Sequence, residues 1–195
     1  ATLKSIDRTG LVIYVGTFSK SLFPALRLGF MLVPPSLVET MGRVSAAFVQ
    51  GVPSSVQATV AEFIEEGHFA THIRRMRRIY EERHDALCDA AARELGGLLA
   101  VARAESGLHT IGYLPAHVSE VAAARAAEAR GVIVSPLARF CIAPVAANGL
   151  VLGFGGIPPA EIRAGMAELG QALHGLLKPR AASRRAAPAN GMAIG

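Results

Sequence analysis

The spacing of apolar and polar positions changes several times along this chain. Residues 11–18 (LVIYVGTF) form a short apolar run rich in β-branched side chains, and residues 28–33 (LGFMLV) form a second, ended by Pro34-Pro35. Runs of this length bounded by turn residues predict buried strands. Ser36 stands where its hydroxyl can cap a helix over 36–48. Residues 50–53 (QGVP) read as a loop, Ser55 as the cap of a helix over 55–66, and Gly67 as its stop. A long amphipathic pattern covers 68–95 and ends at Gly96-Gly97, where a left-handed residue can close the helix.

Beyond this point short apolar runs alternate with helical patterns. A strand is predicted at 108–114 (LHTIGYL), an Ala-rich helix at 119–130 stopped by Gly131, and strands at 132–134 (VIV) and 150–154 (LVLGF). Pro158-Pro159 opens a last helix over 159–177. Strands alternating with helices predict an α/β layered domain. The expected division is one domain over 1–75 and a smaller one over 76–178, with the change inside the long helix. Residues 179–195 (PRAASRRAAPANGMAIG) are poor in apolar bulk and are expected to be a disordered basic tail.

Composition agrees with a packed globule, at 51% hydrophobic and 18% charged residues. The formal charge of +5 suggests nucleic acid at first sight. However, Lys178, Arg180, Arg184 and Arg185 carry +4 of it, leaving +5 − 4 = +1 for residues 1–177. A near-neutral body with a short basic tail is a weak case for DNA binding by this chain itself. Cys88 and Cys141 have no metal-ligand spacing and read as free thiols of a reducing cytoplasm. No apolar run approaches the ~18 residues of a membrane span, and no signal-peptide pattern opens the chain. Its first residue is Ala rather than Met, so a fragment is expected.

The chemistry concentrates in Gly16-Thr17-Phe18-Ser19-Lys20 and Pro24-Ala25-Leu26-Arg27-Leu28-Gly29. Of the three lysines, Lys4, Lys20 and Lys178, only Lys20 lies between two predicted buried strands. An amine in such a place needs a partner or a lowered pKa, and an amine that attacks a carbonyl gains from that setting. Thr17, Ser19 and Ser21 offer hydroxyls to phosphate oxygens, and Arg27 offers a planar fork that can hold two of them. Amine, hydroxyls and guanidinium together suit a phosphorylated aldehyde. Equally compatible with the residues alone is a surface loop with a solvated Lys and Arg.

The run VIYVGTFSKSLFPALRLGFMLVP resembles the cofactor-lysine segment of class I/II aminotransferases, especially of the MocR subfamily of GntR-type bacterial regulators. In that subfamily a winged-helix DNA-binding domain is fused to an aminotransferase-like domain. The runs EFIEEGHFATHIRRMRRIYEERHDAL, GLHTIGYLP and GLVLGFGGIPPAEIRAGMAELGQAL resemble it too, in the same order, so the likeness spans about residues 1–177. It implies a fold-type-I pyridoxal 5′-phosphate (PLP) dependent transferase, with residues 1–75 ending the large PLP-binding domain and 76–178 forming the small α/β domain. Lys20 would form the Schiff base, and Arg27 would bind the phosphate with help from Thr17 and Ser19. The substrate or effector would be an amino acid or other small amine. A cytoplasmic homodimer is implied, with DNA contacted only through an N-terminal domain outside this chain.

The likeness has gaps. The family's Asp at the pyridine nitrogen, its Tyr near the ring oxygen, its stacking aromatic and its glycine-rich phosphate loop all precede the lysine segment and lie outside this chain. Ordinary aminotransferases hold the substrate carboxylate with an Arg on a small-domain strand. Val151 stands at that position in Leu150-Val151-Leu152-Gly153-Phe154, and Arg139 is the substitute candidate. Three functions follow: an aminotransferase-type enzyme domain, a PLP- and amine-sensing effector domain of a regulator without turnover, or an inactive remnant. His68 and His72 are spaced four apart but lack the Glu of HExxH, so they read as helix-surface or interface histidines rather than zinc ligands. Arg74, Arg75, Arg77 and Arg78 form a basic cluster whose simplest reading is a solvated face, with Arg77 and Arg78 paired to Glu81 and Glu82; Met76, Ile79 and Tyr80 form the packed stripe. His109 reads as a satisfied strand residue, although a His near PLP could move protons.

Overall fold

A computed structural model of the chain describes residues 2–48, 51–103, 107–143 and 145–177. The chain splits into two compact units, Ala1–Arg77 and Arg78–Gly195.

The first unit opens with a one-turn helix, α1 (Leu3–Ile6), capped by the Thr2 hydroxyl. Asp7 then organises the approach to the first strand. Its Oδ1 accepts from the amides of Thr9, Gly10 and Leu11 and from the Thr9 hydroxyl, and its Oδ2 accepts from the Val12 amide and from Lys4 Nζ. Lys4 also donates to the Val12 carbonyl at 2.9 Å. Strands β1 (Tyr14–Thr17) and β2 (Gly29–Leu32) pair antiparallel, with Tyr14 opposite Leu32 and Thr17 opposite Gly29. Helices α2 (Val38–Phe48) and α3 (Ser54–Glu65) follow, and the long helix α4 (His68–Glu94) begins in this unit. The core is small: Phe18, Leu28 and Val60 are buried, with Leu22, Leu26, Val52 and Phe69 packed against them.

Three expectations are corrected here. The two strands are shorter than 11–18 and 28–33, and they are not buried: all four residues of β2 are exposed, and Val15 is 68% exposed. A two-stranded ribbon cannot cover both of its own faces, and an apolar run does not say which face finds a partner. Ser36 does not cap α2, because it lies in a 3-10 turn, Pro35–Leu37, that continues directly into the helix. Ser55 is likewise inside α3, whose cap position is Pro53 and has no side-chain hydrogen bond.

The second unit is a helical layer on one face of an antiparallel sheet. The sheet order is β3 (Ala100–Val101), β4 (His109–Tyr113), β6 (Gly149–Gly153), β5 (Ser135–Pro136). Alternation along β6 sends Leu150 and Leu152 into the core while Val151 faces the other way. They meet Leu87, Ala91 and Leu95 of α4, Ala123 and Ala127 of α5 (Glu120–Glu128), and Ile162, Met166, Leu169 and Leu173 of α6 (Pro159–Leu177). Small side chains on α5 and α4 let the helices approach closely, and Gly170 extends this, since a Cβ there would lie 2.9 Å from the Glu94 carbonyl oxygen. Arg130 fastens α5 to α6 through Glu168 at 2.8 Å and through Gln171.

Most helix bounds fall within one or two residues of those predicted, and α6 matches over 159–177. Ser119 accepts from the Ala122 amide at the start of α5. Gly131 ends it in the left-handed conformation, with its amide on the Glu128 carbonyl. The strand predicted at 132–134 is absent. The Val132 amide closes the helix end on the Ala127 carbonyl, Ile133 is 90% exposed, and pairing begins only at Ser135. Pro136 lacks an amide hydrogen, which suits the edge position of β5. The two-residue strand β3 was not foreseen. The tail predicted at 179–195 lies outside the described residues. Among the described residues no helix is long and apolar enough to cross a membrane.

Two outcomes follow. Leu169 is fully buried among α4, α6 and the sheet, so Leu169→Ala should cost about 2–5 kcal/mol, read as a lower chemical-denaturation midpoint. Asp7, whose side chain is 2% exposed, has its carboxyl held well below the usual carboxylate range, chiefly by the Val12 amide. Stability from Asp7 is therefore full above the unfolded value of about 3.9 and is lost as pH falls below it towards the depressed folded value. An acid titration should show Asp7→Asn less stable near neutrality and less sensitive to falling pH than the native chain.

Candidate functional site

Thr17, Ser19, Lys20 and Arg27 come together in the first unit because a hairpin joins their two segments. Pairing of Thr17 with Gly29 continues one step past the strands, where the Phe18 amide donates to the Leu28 carbonyl at 3.1 Å. Continued by one more residue, this register sets Ser19 opposite Arg27. The intervening chain turns at Ser19-Lys20-Ser21, with the Leu22 amide on the Phe18 carbonyl at 2.7 Å, and returns through a 3-10 turn, Pro24–Leu26.

Residue 16 has no side chain, and the ring of its cross-strand partner takes up the space this leaves. The Phe30 ring lies where a Gly16 Cβ would be, with Cζ 2.4 Å from that point. From there Phe30 reaches Phe18 at a centroid distance of 5.4 Å and Tyr14 at 5.9 Å, and Phe18 meets Phe69 of α4 edge-on at 5.8 Å. This aromatic row covers one face of β1 and leaves Thr17 exposed on the other.

The polar groups are arranged as a cluster of donors. The Ser19 amide donates to Thr17 Oγ1 at 3.2 Å, and the two hydroxyl oxygens are 3.1 Å apart. Lys20 and Arg27 are exposed, and among the described residues neither is in a hydrogen bond or ion pair. The expectation of a lysine hemmed in by buried strands is therefore corrected, since the strands on either side are themselves exposed. Arg27 takes φ 49°, the only positive φ at a non-glycine among the described residues. Holding an L-residue in that region costs roughly 1–2 kcal/mol, and such outliers gather where a side chain must be aimed.

Arg139 lies in the second unit, exposed on a 3-10 turn (Leu137–Phe140). Glu120 holds this turn from the start of α5: its Oε1 accepts from the Ala138 amide and its Oε2 from the Gly149 amide, each at 3.0 Å. Within this unit an open cleft of ≈ 350 Å³ lies on the face of the sheet away from the helices, and its lining includes His109, Ser135, Phe140, Val151 and Gly153. Among the described residues no lysine or arginine lines it. Val151 thus occupies the floor of a neutral cleft, and His109 is an exposed strand residue at its edge.

Other candidates resolve as follows. His68 sits 3.1 Å from Glu66 and against the Phe63 ring. His72 Nε2 lies 2.9 Å from the Ser21 carbonyl, which can only accept, so this nitrogen carries the hydrogen and donates. No group of three metal-ligating side chains occurs among the described residues. Arg74, Arg75, Arg77 and Arg78 are exposed and Met76, Ile79 and Tyr80 half-buried, as expected. The pairing of Arg77 and Arg78 with Glu81 and Glu82 is not formed: Arg74 donates to Thr71 instead, and the other three guanidiniums point to solvent. The i, i+4 spacing permits such pairs but gives exposed ones little energy. Cys88 and Cys141 are free thiols, and burial pushes the Cys88 thiol up, which keeps it protonated and inert.

Comparison with known proteins places this geometry. The family model for Aminotransferase class I and II matches residues 2–150. The chain is 38% identical to the "Probable rhizopine catabolism regulatory protein MocR" of Rhizobium meliloti over 167 residues, covering 86% of this chain and 34% of that protein. Among solved structures, kynurenine aminotransferase of Pyrococcus horikoshii superposes with a TM-score of 0.81 at 26% identity, over 90% of this chain and 44% of that one. LysN, the α-aminoadipate aminotransferase of Thermus thermophilus, superposes with a TM-score of 0.76 at 31% identity, over 85% and 42%. That structure holds N-(5′-phosphopyridoxyl)-L-leucine. The chain spans about a third of the length of the curated regulators it matches.

The ribbon's dependence on residue 16 can be tested. Gly16→Ala should lower stability by about 1–3 kcal/mol, because the new methyl and the Phe30 ring claim one place. In a double-mutant cycle Phe30→Ala should recover most of that loss, so additive costs would disprove the steric account.

Proposed function

This chain belongs to the aminotransferase class I and II family, and on that premise we propose that it captures PLP through Lys20 as the aminotransferase-like part of a MocR/GntR-type regulator. The observation that carries the reading is the gathering of Lys20, Thr17, Ser19 and Arg27 in one turn, with the amine and the guanidinium both unpaired. The donor set fits the cofactor: an amine for an aldehyde carbon, and hydroxyls and a guanidinium for phosphate oxygens. PLP, when bound, supplies an electron sink for chemistry at an amine's α-carbon.

Each residue has a distinct task. Arg27 would hold the phosphate through its planar fork. Thr17 and Ser19 would help with their hydroxyls; in the chain alone the Thr17 hydroxyl donates to Ser19 Oγ at 3.1 Å, so its hydrogen would have to turn from Ser19 to the phosphate. Lys20 Nζ would hold the aldehyde and, in a catalytic cycle, move a proton to and from the amine substrate. Arg139 is the candidate for an incoming carboxylate. By analogy with the relatives, the protein works as a cytoplasmic homodimer and reaches DNA through a winged-helix domain outside this chain.

One observation favours a second reading, in which PLP and an amine are sensed without turnover. Val151 faces a cleft that no lysine or arginine lines among the described residues, so none of these offers a cation to a substrate carboxylate there.

The test is titration of the chain with PLP, borohydride reduction and peptide mapping. Label should appear at Lys20, vanish in Lys20→Ala, and fall about tenfold or more in Arg27→Ala, since a bidentate charged contact is worth ~1.5–3 kcal/mol. Label spread evenly over Lys4 and Lys178 would refute capture by the turn. Addition of amines then separates the readings: keto-acid formation favours the enzyme, and displacement without product favours the sensor.

A further inference from the structure

The turn that carries Lys20 is held from outside the hairpin at its two ends. Helix α4 supplies both contacts from one face, three residues apart. Phe69 packs edge-on against Phe18 at 5.8 Å, and His72 Nε2 donates to the Ser21 carbonyl at 2.9 Å. Phe18 and Ser21 are also three residues apart, so the turn lies along the first turns of α4 with Ser19 and Lys20 between the two anchor points. Residues at i and i+3 share a helix face, which is why one helix can hold both ends.

We propose that His72 is a positioning residue for Lys20: its hydrogen bond to the Ser21 carbonyl fixes the turn so that Lys20 Nζ is presented on the same side as Thr17, Ser19 and Arg27. The inference rests on the reading of Lys20 as the PLP-capturing amine. Lys20 is exposed and, among the described residues, in no hydrogen bond or ion pair. Nothing therefore fixes its side chain directly, and its direction is set by its backbone. Within the hairpin that backbone is held by the Ser19 amide on Thr17 Oγ1 and the Leu22 amide on the Phe18 carbonyl. Both bonds join the turn to its own β1 end. Among the described residues the His72 bond is the one hydrogen bond that joins the far end to a separate element, 51 residues away in sequence; Leu22 adds apolar packing against the Phe18 core, which carries no direction for the Ser21 carbonyl.

The test compares His72→Phe, His72→Asn and His72→Gln with the native chain. Phe keeps a ring without a donor, Asn has a donor too short to reach, and Gln restores a donor at similar reach. Hydrogen exchange over residues 19–22, measured without PLP, should rise about fivefold in the Phe and Asn variants, the factor expected for one lost hydrogen bond, and return in Gln. Lys20's share of borohydride-fixed PLP, relative to Lys4 and Lys178, should fall in the same two variants and recover in Gln. Exchange unchanged in both loss variants overturns the proposal, as does faster exchange with Lys20's share undiminished. If the native chain fixes no PLP at Lys20, the functional reading fails. Acetylation of Lys20 relative to Lys4 and Lys178 by an amine-reactive ester then decides this inference, and equal acetylation in native and His72→Phe chains overturns it.

Discussion

An aromatic ring occupying the place of a missing side chain is the constraint on which the candidate site depends. Phe30 lies over Gly16 in a ribbon whose strands pair through Thr17 and Gly29 and on to Phe18 and Leu28. That pairing turns a linear stretch with a lysine at one end and an arginine at the other into a cluster. The ring also links the ribbon to α4 through Phe18 and Phe69. The same side chains thus shape the turn and hold it against the rest of the first unit. Among the described residues that core buries Phe18, Leu28 and Val60, with Leu22, Leu26, Val52 and Phe69 packed against them.

The two units divide the chemistry by charge. The turn in the first unit presents an amine and a guanidinium to solvent, whereas the cleft in the second is lined by an imidazole, a hydroxyl, glycines and apolar side chains. In the proposed reading, covalent capture is therefore a property of one short turn of the first unit. In the second unit Glu120 ties the start of β6 to the turn that carries Arg139, holding the amides of Gly149 and Ala138 with one carboxylate.

What the sequence made legible was mostly local. Lys20, Thr17, Ser19 and Arg27 lie within eleven consecutive positions, so their association needed only a hairpin. Gly67 and Gly131 marked helix ends because a left-handed residue is cheap only for glycine. Long-range facts were hidden. His72 pairs with a backbone carbonyl, and every residue has one, so no residue pattern announces the partner. The exposure of β1 and β2 was misread because an apolar run reports a capacity for burial and not the presence of a covering layer. Ser36 and Ser55 failed as caps because a 3-10 turn opening at Pro35 runs into α2, and α3 opens at Ser54 with Pro53 in the cap position. The runs VIV and AV show the weakness of very short segments: Val132 is claimed by the helix before it, and Ala100–Val101 becomes a strand only because β4 lies alongside.

Arg27 joins two demands that pull in opposite directions. Its left-handed backbone would be most comfortable as glycine or asparagine, while its guanidinium is the only strong bidentate donor in the turn. A library of variants screened solely for thermal resistance would drift away from arginine at this position. A library screened for retention of a phosphorylated aldehyde would hold it. In the proposed reading, arginine at 27 is therefore a position where contact with a ligand outweighs the comfort of the backbone.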